Sequence, residues 1–186
     1  MRFRFYLSLM IAKLSYLFLK VTKLSSGTAI IGLITLKICP EFLRYIKPFI
    51  KESAINITGT NGKTTTSGLI SHILKNNKKR TLTNAQGANM LNGIINAIAL
   101  QACPIFPHEY SVIETDEAFL DKVFSKMSGD YLLVTNLFED QTDRFANPLV
   151  TKSLIQKGID KSANVQLILN ADEPISAIKT IDIKIV

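Results

Sequence analysis

Ala54-Ile55-Asn56-Ile57-Thr58-Gly59-Thr60-Asn61-Gly62-Lys63-Thr64-Thr65-Thr66-Ser67 is the stretch on which the fold turns. Its first five residues alternate apolar and polar in a β-prone run. Gly59 to Thr64 then supply two glycines, a lysine and a hydroxyl, and an apolar helical pattern follows at Leu69, Ile70, Ile73 and Leu74. The order is strand, loop, helix. Glycines at 59 and 62 let the backbone turn tightly and bring N–H groups close to an anion, and a helix starting near Lys63 points its positive dipole end at the same place. Lys63 is placed to reach the β/γ-phosphates of a nucleotide, and Thr64 to offer its hydroxyl to a magnesium ion. Only Thr60 and Asn61 separate the glycines, so the common four-residue spacing is not met. The alternative is a Gly-rich strand-to-helix turn with an incidental lysine.

The short loop Thr58 to Thr65 resembles the ATP loop of the Mur ligase family, which includes cell-wall amino-acid ligases and folylpolyglutamate synthase. The resemblance implies ATP contacts at Gly59, Thr60, Asn61, Gly62, Lys63, Thr64 and Thr65. Further stretches support it, and three of them, the basic N-terminal helix followed by Gly27 to Gly32 and Thr35 to Ile38, Glu114 to Ala118, and Asn136 to Phe145, narrow it to the branch of MurT-type subunits of lipid II isoglutaminyl synthase. Asn84 to Gly93 is similar to the family's asparagine and glycine loop near nucleotide and acceptor, which implies a role for Asn89; without the resemblance Asn89 reads as a helix cap. Glu114-Thr115-Asp116-Glu117-Ala118 is similar to that branch's Glu-x-Asp-Glu-Ala, which implies a magnesium ligand at Glu114. Asn136 to Phe145 resembles its Asn-Leu-Phe-Arg-Asp-Gln-Leu-Asp-Arg-Tyr, with Asn136 and Asp140 toward the nucleotide, Gln141 where most Mur ligases have histidine, and Glu139 and Thr142 departing from the pattern. Asn170-Ala171-Asp172-Glu173-Pro174 resembles the Asn-x-Asp-Asp-Pro closing this part of the domain.

Residue chemistry points the same way for Glu114. Tyr110 to Glu114 reads as a buried strand ending in a carboxylate, and ligands of open α/β sheets bind at the carboxyl ends of strands. Asp116 fits equally a cap on a helix over Ala118–Met127 or a place in the site. His108, in the loop marked by Pro104 and Pro107, reads as an exposed loop residue, His72 has no ligand-spaced partner, and the basic run Lys78-Lys79-Arg80 reads as a solvated helix end. Further strands are expected at Thr81–Thr83, Asp130–Thr135, Val165–Leu169 and Ile178–Val186, with a helix from Pro148 to about Asp160.

At 186 residues and 47% hydrophobic content the chain suits one domain with a sizeable core. Cys39 and Cys103 lie far apart among apolar neighbours and form neither a disulfide framework nor a metal cluster, as expected of a cytoplasmic protein. The net charge of +7 favours anionic partners. No zinc-finger spacing or aromatic–basic interleaving is present, so nucleic acid is not expected. The segment from Met1 to Lys23 mixes Arg2, Arg4, Lys13, Lys20 and Lys23 with many apolar residues. Its longest uncharged run, Phe5 to Ala12, is far short of the roughly 20 residues a spanning helix needs. Such a helix either packs on its own domain or lies on an anionic membrane surface at the inner face.

The expected architecture is α/β: a P-loop nucleotide-binding domain with a mainly parallel central sheet flanked by helices, over residues 51–186, preceded by a basic amphipathic helix and lead-in over 1–50. The family's zinc ribbon and C-terminal domain have no match here, so the domain reads as incomplete and no zinc is expected. The resemblance implies ATP and Mg2+ as cofactors, with Lys63 and Glu114 catalytic and Thr64 and Glu114 on the metal. It also implies the D-glutamate carboxylate of lipid II as acceptor, activated as an acyl phosphate, and a GatD-type glutamine amidotransferase subunit supplying ammonia. Two alternatives are a nucleotide-binding remnant or partner-binding module without turnover, and a folylpolyglutamate synthase relative.

Overall fold

The computed structural model describes residues 2–22, 28–84, 88–137, 148–162 and 164–172. Three helices lead in: α1 (Arg2–Thr22), α2 (Thr28–Ile38) and α3 (Phe42–Ile46), the last continued by a 3-10 turn at Lys47–Phe49. Strands and helices then alternate: β1 (Ile50–Thr58), α4 (Lys63–Asn76), β2 (Thr81–Thr83), α5 (Leu91–Gln101), β3 (His108–Glu114), α6 (Leu120–Phe124), β4 (Tyr131–Val134), α7 (Pro148–Ile159) and β5 (Gln166–Leu169). All four strand pairings are parallel, in the order β2-β3-β1-β4-β5. Parallel neighbours need crossover connections, and a helix lies between each successive pair of strands. The α/β architecture expected from the sequence is present.

The register decides what each face carries. Asn56 pairs with Ile113 and Leu132, so these side chains share one face; Ile57 pairs with Glu114 and Leu133 on the other. The first face meets the main core, in which Leu82, Ile113, Leu132, Val134 and Leu167 join apolar side chains from α1, α2, α5, α6 and α7. On the second face α4 lies over β2 and β3, and the Ser71 and Thr83 hydroxyls meet at 3.3 Å. Glu114 therefore shares the α4 face, and Thr58, Glu114 and Val134 bring three strands to a common carboxyl edge. β1 is central, with β3 on one side and β4 on the other. The chain crosses over it in passing from β3 to β4, which makes this edge a topological switch point.

Three expectations change. His108 is not an exposed loop residue: it opens β3 and is buried. The segment over Ala118–Met127 is not one helix: a 3-10 turn at Glu117–Phe119 precedes the five-residue α6. Asp116 caps it, accepting the Ala118 N–H at 2.9 Å, and the Phe119 N–H closes early on the Asp116 carbonyl. Beyond α6, Gly129 lies so close to Asn56 that a Cβ there would strike its side chain, which fixes the descent into β4. The strand expected at Ile178–Val186 lies outside the described residues. At the N-terminus, Lys13 interrupts the uncharged run but not the helix. Arg2–Thr22 is continuous over 21 residues, and by length and composition alone it is long and apolar enough to cross a membrane.

Candidate functional site

The junction between β1 and α4 has the conformation its glycines anticipate. Gly59 has φ 122° and Gly62 φ 83°, both in the region open mainly to glycine. A Cβ on Gly59 would strike Thr135 and Asn136, whereas one on Gly62 would meet nothing within 4 Å. Gly59 is thus fixed by crowding and by conformation; Gly62 faces open space at the start of the helix. Thr66 makes the first helical bond, to the Gly62 carbonyl, so the N–H groups of Lys63, Thr64 and Thr65 have no acceptor within the helix. Those donors, the exposed Thr64 and Thr65 side chains, and the dipole of a 14-residue helix form an anion-receptive end.

The earlier part of the loop is held from β4. The Asn136 carbonyl accepts the Thr60 N–H at 2.8 Å and its Oδ1 accepts the Asn61 N–H at 2.9 Å, while its Nδ2 donates to the Asn61 carbonyl at 3.1 Å. The Thr135 hydroxyl adds a bond to the same carbonyl at 2.7 Å. Asn136 therefore acts here on the loop backbone.

Lys63 folds back over its own loop. Its Nζ donates to the carbonyls of Gly59 and of Thr60, the latter at 3.1 Å, and to Glu117 Oε1 at 3.1 Å. The pair is well shielded, the two side chains being 13% and 12% exposed. The same Glu117 oxygen accepts the Gly59 N–H at 2.9 Å and lies 3.5 Å from the Thr58 hydroxyl. A carboxylate thus engages the lysine and a backbone donor that a phosphate-binding loop would direct at its ligand. Sequence reasoning gave Glu117 no role in the site; only its tertiary placement reveals this contact.

Glu114 is 1% exposed. Its backbone is clamped by Asn84, whose Oδ1 accepts the Glu114 N–H at 2.8 Å and whose Nδ2 donates to the Glu114 carbonyl at 2.7 Å. Its Oε1 accepts from Asn89 Nδ2 at 3.1 Å, and Oε2 is buried with no hydrogen-bond partner. Asn89 is not the cap of α5, a position held by Met90; it orients the carboxylate. A buried carboxylate oxygen with no donor calls for a cation, so the donor set fits a hard divalent ion, which takes oxygen ligands. Among the described residues no three His, Cys, Asp or Glu side chains gather around a metal-sized space, so the remaining ligands would come from hydroxyl, water or phosphate oxygens. Asp140, with Gln141, Asp143 and Arg144, lies outside the described residues.

The Mur ligase middle domain matches residues 57–185. The MurT subunit of lipid II isoglutaminyl synthase (glutamine-hydrolyzing) from Staphylococcus aureus (strain COL) is 37% identical over 148 residues, 80% of this chain and 33% of that protein. Its counterpart from Streptococcus pneumoniae (strain ATCC BAA-255 / R6) is 31% identical over 155 residues, covering 83% and 34%. The chain spans about a third of the length of these curated relatives. Among solved structures, the MurF ligase from Thermotoga maritima in complex with ADP superposes with a TM-score of 0.62 at 19% identity, over 75% of this chain and 33% of that one. MurF from Acinetobacter baumannii gives 0.62 at 18% identity, over 77% and 31%. At these identities the two structures support the fold.

Proposed function

The chain belongs to the Mur ligase family, and from that premise we propose that it is the ATP-binding part of a MurT-like amide ligase acting in peptidoglycan synthesis. The observation that carries the reading is the pairing of a glycine-turned loop ending in Lys63 with the buried, incompletely partnered carboxylate of Glu114 at the same sheet edge. The reaction proposed transfers the γ-phosphoryl group of ATP to the D-glutamate carboxylate of lipid II, and ammonia from a GatD-type glutaminase then displaces the phosphate.

In this reading the N–H groups at the start of α4 orient the phosphates and Lys63 turns from Glu117 to neutralise charge that grows during transfer. Thr64 and Glu114 would hold Mg2+, which supplies charge neutralisation on the phosphate oxygens. Asn84 and Asn89 keep the Glu114 carboxylate in place, and Asn136 with Thr135 keeps the loop closed on itself.

Titration of the chain with ATP tests the first half. Lys63→Ala is expected to weaken binding at least about tenfold, the scale of one lost charge-assisted contact; unchanged affinity would refute the placement of the lysine. The second half is tested by supplying a GatD-type glutaminase, lipid II, glutamine and ATP. Amidated lipid II supports the ligase. Nucleotide binding without amidation supports instead a nucleotide-binding module that does not turn over.

A further inference from the structure

α1 is apolar on two opposite faces, and the structure separates their roles. One face packs inward through Phe5, Leu9 and Ala12, with the Phe5 ring stacked on Phe49 at 5.8 Å between centroids. On the other side Phe3, Tyr6, Met10, Leu14, Leu17 and Val21, spaced three or four residues apart, form one stripe along the helix and are 49% to 75% exposed. On a helical projection Arg2, Lys13 and Lys20 run along one border of that stripe and Arg4 along the other. All four are exposed, and Lys13 also donates to the Ala102 carbonyl at 2.8 Å. Ile30 and Leu33 of α2 are exposed as well. The sequence left packing on its own domain and surface binding as alternatives. The two faces serve one purpose each.

Such a contiguous apolar stripe marks an interaction surface. Crossing a bilayer is opposed by the inward face: Phe5, Ser8, Leu9 and Ala12 are buried in protein, so lipid cannot surround the helix. A second copy of the chain would bring the cationic borders together, and neither α1 nor α2 has an acid to meet them; the first acidic residue is Glu41. An anionic lipid surface matches both features, taking apolar side chains into the acyl boundary while Lys and Arg heads extend to phosphate. We propose that the outer face of α1 is a docking surface for an anionic phospholipid leaflet, with the helix lying in the plane of the interface.

The test uses the whole chain with vesicles of phosphatidylglycerol or of phosphatidylcholine. Co-sedimentation with the anionic vesicles, weakened by added salt, is expected, with little on the neutral ones. Met10→Asp with Leu17→Asp should lower binding at least about tenfold, leaving circular dichroism and the thermal transition unchanged because both positions are exposed. The chain has no tryptophan, so Leu14→Trp is a single reporter whose emission should shift to the blue on anionic vesicles alone. The proposal is overturned if the chain stays in the supernatant with phosphatidylglycerol, or if the double variant sediments equally well. A light-scattering dimer that the double variant dissociates, without vesicle binding, overturns it in favour of self-association.

Discussion

Under the proposed function, Glu117 and the phosphates of a nucleotide would compete for the same donors, the Gly59 N–H and the Lys63 ammonium, both of which Glu117 engages in the free chain. In the free chain the carboxylate stabilises the loop; in a nucleotide complex it is a negative charge beside other negative charges. Glu117→Gln is therefore expected to act in opposite directions on two readouts. It should lower the melting temperature of the free chain, because a shielded lysine loses its counter-charge, and raise ATP affinity several-fold. Weaker ATP binding would make Glu117 a supporting group of the bound state. His108 gives a second prediction at this scale. Burial, reinforced by Arg80, holds its imidazole below the ordinary value of 6.5. The unfolded chain accepts the proton first as the pH falls, so stability present above about pH 6.5 is lost as pH drops through that value and on to the lower folded value. His108→Gln should flatten the dependence of melting temperature on pH between about 7.5 and 5.5. An unchanged slope would assign it to other groups.

Helix against helix, the lead-in is joined to the α/β unit where α2 meets α5, and this contact depends on Gly32. A Cβ at that position would land on the Asn92 carbonyl, so the helices approach at backbone distance. Gly32→Ala should cost on the order of 3 kcal/mol by forcing them apart, read as a fall in melting temperature; no change would mean the helices separate easily. Elements of this kind were legible in unequal measure. The strand, loop and helix around Gly59 and Lys63 were readable because their signals are local: β-prone alternation, two glycines, then helical periodicity. The carboxylate at the end of β3 was readable for the same reason. The contact of Glu117 with a lysine 54 residues earlier, and the Asn84 clamp on Glu114, leave no periodic trace, since each joins polar side chains brought together only by the sheet order. The two faces of α1 escaped for another cause: opposed apolar faces cancel in any one-sided measure of amphipathicity.

Across the whole molecule, charge and fold place two anion-receptive regions apart in sequence: the cationic helix that precedes the first acid, Glu41, and the loop at the carboxyl edge of the sheet. The second should make global stability depend on nucleotide. A ligand that binds only the folded chain stabilises it by RT ln(1 + [L]/Kd), about 2.7 kcal/mol at a hundredfold excess over Kd. For a chain of 186 residues that is a rise in melting temperature of roughly 5 to 10 °C. Magnesium with ADP or ATP is expected to produce such a rise, and Lys63→Ala to remove most of it. The orphaned oxygen of Glu114 gives the proposed cation its role: with a chelator present the nucleotide would have to bring its charge to the sheet edge beside an uncompensated buried carboxylate. The rise should therefore shrink sharply on chelation in the wild-type chain and much less in Glu114→Gln, whose side chain is neutral. A rise of equal size with and without chelator in the wild type would show that the carboxylate at 114 and the nucleotide share no cation.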